Sequence, residues 1–155
     1  MDRKNAGESK HPKAGVLEEQ VSLALMKAAD KVQGEVAEML KEYGLSPTQY
    51  NALRILRGAG TEGLTCSEIG ERMINRDPDI TRLLARLEGR RLVIRRRERK
   101  DRRVVMTSIT AAGLDLLRSI DEPIMEFHHH LLGHMGETKL KSLIRLLDVA
   151  RKTAA

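Results

Sequence analysis

The sequence predicts a mainly α-helical protein with a small two- or three-stranded β hairpin. Three observations point there. Leu, Ile, Val, Met and Ala dominate the apolar content, with no Trp, one Phe (Phe127) and two Tyr (Tyr43, Tyr50), a balance that favours helices over sheets. Apolar residues recur at spacings of three and four through most of the chain. Two β-branched segments, Leu92–Ile94 and Val104–Ile109, bracket a dense run of arginine. That run, Arg90 to Arg103, reads RRLVIRRRERKDRR; its nine basic and two acidic residues carry a net +7, against +6 for all 155 residues. The rest of the chain is therefore close to neutral, and the basicity is a local patch. Such a patch repels itself unless a polyanion meets it, and nucleic acid is the commonest such partner. A solvated hairpin without a ligand is the plainer alternative.

The elements follow in order. Residues 1–15 read as a polar, disordered leader without the apolar core of a secretion signal. From Val16 to Tyr43, the apolar positions Leu17, Val21, Leu25, Ala28, Val32, Val36 and Met39 trace one face of a long helix, with Gly34 as a weak point and Gly44 as its stop. Ser46-Pro47-Thr48-Gln49 supplies an N-cap, a Pro at the first helical position and a Gln three after the cap. The helix it opens buries Tyr50, Leu53 and Leu56, and GAGTEGL ends it. Thr65-Cys66-Ser67-Glu68 is a second capping box, opening a short helix with Ile69 and Met73 inward. After the break at Ile74-Asn75-Arg76, Asp77 caps and Pro78 starts another helix, with Ile80, Leu83, Leu84 and Leu87 inward and Gly89 at its end. Its opposite arc carries Pro78, Arg82 and Ala85, flanked by Thr81 and Arg86.

Two short helices, a tight break and a polar arc on the second make a helix-turn-helix. The basic loop from Arg97 to Arg102 lacks the Asn-Gly or Asp-Gly of a tight turn, so it protrudes as the wing of a winged helix. Thr110 caps the next helix, which Pro123 kinks or interrupts. Its pattern resumes through Leu131 and Leu132, and a last helix carries Leu140, Leu143, Ile144, Leu147 and Ala150. The predicted organisation is a winged helix-turn-helix DNA-binding domain over residues 45–110, flanked by N- and C-terminal dimerisation helices over 16–44 and 111–155. These helices hold more apolar surface than the winged helix can cover, so a second copy is expected to bury it.

The chain resembles the MarR family of bacterial transcription regulators over about Leu17 to Lys152. The resemblance rests on Leu45-Ser46-Pro47-Thr48-Gln49-Tyr50, on Ile80-Thr81-Arg82-Leu83-Leu84-Ala85-Arg86-Leu87-Glu88, and on Asp101-Arg102-Arg103 with the exit Val-Val-Met-Thr-Ser-Ile-Thr-Ala-Ala-Gly. It implies a homodimer on double-stranded DNA, with recognition helices in successive major-groove faces of a pseudo-palindromic operator and wings in the flanking minor grooves. It also implies repression, often relieved by a small-molecule effector, an oxidant or a metal. The effector would sit between the long helices and the winged helix, with no residues assigned to it. Few rings are present to stack on a flat drug, so an aliphatic ligand or a weak response is the expectation.

The resemblance assigns Arg103 to the minor groove and Asp101 to orienting it; a narrow minor groove has an enhanced negative potential that favours guanidinium. An ion pair within the wing, without DNA, is the alternative. Arg95, Arg97, Arg99, Lys100 and Arg102 are expected at phosphates, which position the protein without specifying sequence. Arg82 and Arg86 can reach guanine or phosphate, and Thr81 a thymine methyl or phosphate. Arg86 has a structural alternative, pairing with Glu88 or Asp115. Asp79 either complements the helix dipole or accepts from a cytosine amine. Ser67 and Arg76 complete the candidate DNA-binding set with Asp77 and Pro78.

His128, His129, His130 and His134 form the only metal-like cluster, with His130 and His134 at helical i, i+4 spacing. With no second cysteine and a place in the dimerisation lobe, they read first as ordinary helix-end histidines and no metal is expected; a zinc-responsive regulator is a second reading, and a non-specific architectural nucleic-acid-binding protein a third. The single cysteine, Cys66, excludes an internal disulfide and fits a reducing cytoplasm; it reads as a small capping-box residue rather than an oxidant sensor. No catalytic constellation, phosphate-binding glycine loop or membrane-spanning run is present, so an enzyme, a cofactor and a membrane partner are not expected. The expected location is the bacterial cytoplasm, at the nucleoid.

Overall fold

The computed structural model describes residues 15–75, 79–98 and 101–152. The expected leader lies outside them apart from Gly15, as do the proposed cap Asp77 and first helical residue Pro78. The chain divides into two compact units, Met1–Glu38 and Met39–Ala155.

The first unit holds most of α1 (Val16–Lys41), whose first turn carries Glu18 and Glu19 where a helix dipole favours negative charge. Gly34 does not break the helix. In this unit the apolar positions Leu17, Val21, Leu25 and Met26 are exposed.

In the second unit the last turn of α1 buries Leu40, and Gly44 turns the chain at φ +64. Next comes α2 (Pro47–Ala59), opened by the capping box expected of it. Ser46 Oγ accepts the Gln49 N–H at 3.2 Å, and Gln49 Oε1 accepts the Ser46 N–H at 3.0 Å. Buried Tyr50, Ala52, Leu53 and Leu56 make α2 the central core element.

A two-residue strand, β1 (Leu64–Thr65), leads into α3 (Cys66–Arg72). Thr65 caps α3, and Glu68 returns to the Thr65 N–H at 2.8 Å. The next helix is α4 (Ile80–Gly89), which seats Leu83, Leu84 and Leu87 in the core. Strands β2 (Val93–Arg97) and β3 (Val105–Ile109) complete an antiparallel sheet of order β1-β3-β2. Thr107 is paired with both Leu64 and Arg95 and is almost fully buried. Gly63, at φ +75, is required where it stands, because a side chain there would collide with the Thr107 carbonyl.

Helix α5 (Ala111–Leu132) follows, capped by Thr110, whose Oγ1 accepts the Gly113 N–H at 3.1 Å. Pro123 does not interrupt it. A proline inside a helix loses one hydrogen bond and crowds the preceding turn, and burial of Leu117, Ile120 and Ile124 on the same helix offsets that loss. A 3-10 turn, Gly133–Met135, precedes α6 (Glu137–Ala150), none of whose residues is buried. Among the described residues no helix is long and apolar enough to cross a membrane.

Candidate nucleic-acid interface

The core residues of α4 fix which residues face out. With Leu83, Leu84 and Leu87 inward, helical geometry leaves Thr81, Arg82, Ala85 and Arg86 on the exposed arc. The helix begins later than the sequence predicts. Asp79 is its N-cap, its Oδ1 accepting the Arg82 N–H at 3.2 Å. That geometry matches the dipole reading of Asp79 and lends nothing to a cytosine contact. Arg76, Asp77 and Pro78 lie outside the described residues. The acids expected to hold Arg86 are engaged elsewhere: Glu88 Oε1 accepts the Arg95 N–H at 3.2 Å, and Asp115 pairs with Arg118. In α3, Ser67 is exposed, with its hydroxyl 3.4 Å from Glu71 Oε1. Cys66 Sγ lies 3.7 Å from Thr81 Oγ1, so the short helix touches α4 at its start.

The arginines of the basic run do different work. Arg90 Nη1 donates to the Gly44 carbonyl at 2.6 Å, closing the end of α4 against the turn before α2. The backbone of Arg91, at φ 60, presents its carbonyl to Thr110 Oγ1 at 2.7 Å. Arg95, expected at a phosphate, is half-buried beside Thr107, and its Nε is shielded from solvent without a partner. It is the least available of the hairpin arginines. Arg96, Arg97, Arg102 and Arg103 are exposed, while Arg99 and Lys100 lie outside the described residues.

At the hairpin end, the Glu98 N–H donates to the Val104 carbonyl at 2.9 Å and the Val104 N–H to the Asp101 carbonyl at 3.0 Å. Asp101 Oδ1 accepts the Arg103 backbone N–H at 2.9 Å. Asp101 thus fixes the backbone of Arg103, and among the described residues no ion pair holds the Arg103 guanidinium.

Among the described residues two ionisable groups are shifted. The hydrogen bonds from the Thr65 backbone and hydroxyl hold the Glu68 carboxyl below its ordinary range, which keeps the α3 cap charged. Burial pushes the Tyr50 phenol up, so it stays protonated. Tyr50 lies under the Arg54 guanidinium, 5.7 Å from the ring centre, and Arg57 forks onto Asp121 at 2.8 and 2.9 Å, tying α2 to α5.

The zinc alternative needs His130 and His134 on one helical face, and they do not share one. α5 stops at Leu132, so His134 sits in the 3-10 turn and shares no helical face with His130. Among the described residues no group of three or more His, Cys, Asp or Glu is placed to hold a metal ion.

One arrangement is invisible in the sequence. A shallow cleft of about 220 Å³ runs between the start of α2 and α4, lined by Ser46, Thr48, Gln49, Asp79, Arg82, Leu83 and Arg86. In the sequence, Ser46 to Gln49 show only a helix cap, and nothing local places them beside the arginines of α4.

A family model described as the MarR family matches residues 43–104, which take in α2, α3, α4 and the wing. The HTH-type transcriptional repressor MdtR of Bacillus subtilis (strain 168) is 36% identical over 93 residues, 60% of this chain and 59% of that repressor's length. A solved MarR transcription factor from Planctomyces limnophilus is 39% identical with a TM-score of 0.67, over 84% of this chain and 95% of its own. The chain belongs to the MarR family. MarR proteins are transcription regulators, not enzymes. The MarR fold also appears in the S. aureus MepR–DNA complex, 19% identical with a TM-score of 0.75, over 83% of this chain and 94% of that one. The family model ends at residue 104, just before β3, while the Planctomyces limnophilus structure extends the likeness to 84% of the chain.

Proposed function

We propose that this MarR-family protein is a sequence-specific double-stranded DNA-binding regulator. In this reading it is a homodimer on a pseudo-palindromic operator, and a repressor that a small-molecule effector releases. The observation that carries the reading is the exposed arc of Thr81, Arg82, Ala85 and Arg86 on α4, which leads directly into a hairpin with exposed Arg96, Arg97, Arg102 and Arg103. Arc residues of this kind read base edges in a major groove, and hairpin arginines neutralise phosphates or enter a minor groove. Ser67 takes a backbone phosphate near the start of α3. Repression is supported by the likeness to MdtR, which bears the name of a repressor. The working location is the cytoplasm, where the operator is.

The dimer reading rests on surface that the single chain leaves open. α6 presents Leu143 and Ile144 on its apolar stripe, with Ile144 59% exposed, and α5 presents Met125 at 71%. α1 adds Leu17, Val21 and Met26. An amphipathic helix with no buried residue needs a partner for its apolar face.

The test is selection of bound duplexes from a random-sequence library, followed by titration of the consensus and a scrambled control. A regulator recovers one inverted-repeat motif and prefers it by about 10³-fold or more. Recovery without a motif, with equal affinity for the control, would establish an architectural role instead.

A further inference from the structure

We propose that the cleft between the start of α2 and α4 seats a DNA backbone phosphate, with Thr48 and Arg86 as its two contacts. This extends the DNA interface to a helix outside the helix-turn-helix and wing, and it rests on the DNA-binding reading above.

The argument starts from which groups in the cleft are already committed. Ser46 and Gln49 close the capping box on each other. Asp79 caps α4 through the Arg82 N–H. Leu83 is core. What remains is the Thr48 hydroxyl and the guanidinium groups of Arg82 and Arg86.

The Ser46 and Thr48 hydroxyls share one hydrogen bond, in which either can donate. Ser46 Oγ accepts from the Gln49 N–H and lies 3.0 Å from Thr48 Oγ1. When Ser46 donates to Thr48, the Thr48 proton is left to donate outward, the arrangement that an anionic oxygen in the cleft would select. In that arrangement the chain Gln49 N–H to Ser46 to Thr48 runs in one direction, and its end is a donor suited to an anionic oxygen.

The charge and shape of the cleft select the ligand. Two guanidinium groups against one committed carboxylate leave it net positive, and the Glu88 and Asp115 carboxylates are engaged elsewhere. The cleft is shallow and polar, which suits one phosphate of a strand passing over it rather than an enclosed small molecule. Arg82 and Arg86 are one turn apart on α4, so Arg82 can reach a base edge while Arg86, further along, meets the strand bordering the same groove. The Thr48 contact then locks the register of α4 in the groove from outside the motif.

The experiment uses the full chain and the consensus duplex selected from a random library. Ethylation interference maps which phosphates matter, for wild type, Thr48→Val, Thr48→Ser and Arg86→Gln. The expected result is one phosphate per half-site whose ethylation blocks wild type but no longer matters to Thr48→Val. Thr48→Val should bind about five- to twentyfold more weakly with an unchanged salt slope, because a neutral donor displaces no counterion. Thr48→Ser should restore both affinity and interference. Arg86→Gln should lose sensitivity to the same phosphate and also flatten the salt slope. Wild-type affinity and an unaltered interference pattern in Thr48→Val would overturn the proposal while leaving the DNA-binding reading intact. A wild-type protein with no duplex preference at all would overturn both.

Discussion

The Asp101 carboxylate accepts the backbone N–H of Arg103 at 2.9 Å, while the Arg103 side chain is exposed. An acid in the middle of a basic loop weakens attraction to DNA through charge alone. Here it shapes the turn that presents an arginine, and the two effects have opposite signs. Asp101→Ala is therefore expected to weaken operator binding although it makes the wing more positive. Tighter binding in a fluorescence anisotropy titration would show that charge wins and that the turn does not depend on Asp101.

Arg103→Ala should weaken binding across sequences, most where the flanks are A·T-rich. It should also make the salt slope shallower by roughly two units per dimer, about one counterion for each wing. Salt-dependent titrations on operator and scrambled duplex read both effects. An unchanged affinity and slope would mean that the basic loop has some other partner.

Arg82→Ala should behave differently. A bidentate contact to guanine is worth about 1–3 kcal/mol of discrimination, so its loss should relax preference at one base pair per half-site. Since Arg82 is exposed and outside the core, the melting temperature should barely move. Selection with the variant that returns the wild-type motif would place Arg82 at a phosphate instead.

Ile144→Glu should convert a dimer to a folded monomer and lower operator affinity at least tenfold, because it sets a charge on the apolar stripe that Ile144 shares with Leu140, Leu143 and Leu147 on α6. Sedimentation velocity at micromolar concentration gives the answer. A wild-type protein that already sediments as a monomer would remove the dimer from the proposed function.

The α3 cap should be acid-sensitive. Glu68 titrates below its ordinary range because Thr65 hydrogen-bonds its charged form. Its contribution is fully present above the ordinary carboxylate range and is lost as pH falls through that range to the lower folded value. Glu68→Gln should flatten this part of the stability profile, measured by thermal unfolding between pH 3 and 7. An identical acid profile in wild type and variant would show that other carboxylates govern the loss.

What the sequence made legible was what short segments encode. Both capping boxes, at Ser46 and Thr65, lie within four residues, and both form as expected. The recognition helix was recognisable because Leu83, Leu84 and Leu87 fall on one arc. Its start was displaced, since Asp77 and Asp79 offer equivalent caps and only the packed helix selects between them. β1 escaped notice because a two-residue strand has no periodicity; it exists by pairing with β3. The basic run was read as one patch, yet Arg90 and Arg95 are drawn into the scaffold by groups distant in sequence. In the sequence Pro123 signals a kink or an interruption because propensity is local; the helix is not interrupted, because the packing of Ile120 and Ile124 is not local.

Gly113 carries a further consequence of the way α5 meets the sheet. A methyl group there would run into the Leu92 carbonyl and the Ile109 side chain, so the helix rests directly on the ends of β2 and β3. From that seat α5 runs unbroken for 22 residues, or about 33 Å at 1.5 Å per residue. It is a lever with its short arm clamped to the base of the wing. A tilt of about three degrees along such a rod displaces its far end by roughly 1.7 Å, with Pro123 the one point along it where a backbone hydrogen bond is missing. Whatever grips the far end therefore pulls on a helix whose other end is seated against the strands of the hairpin.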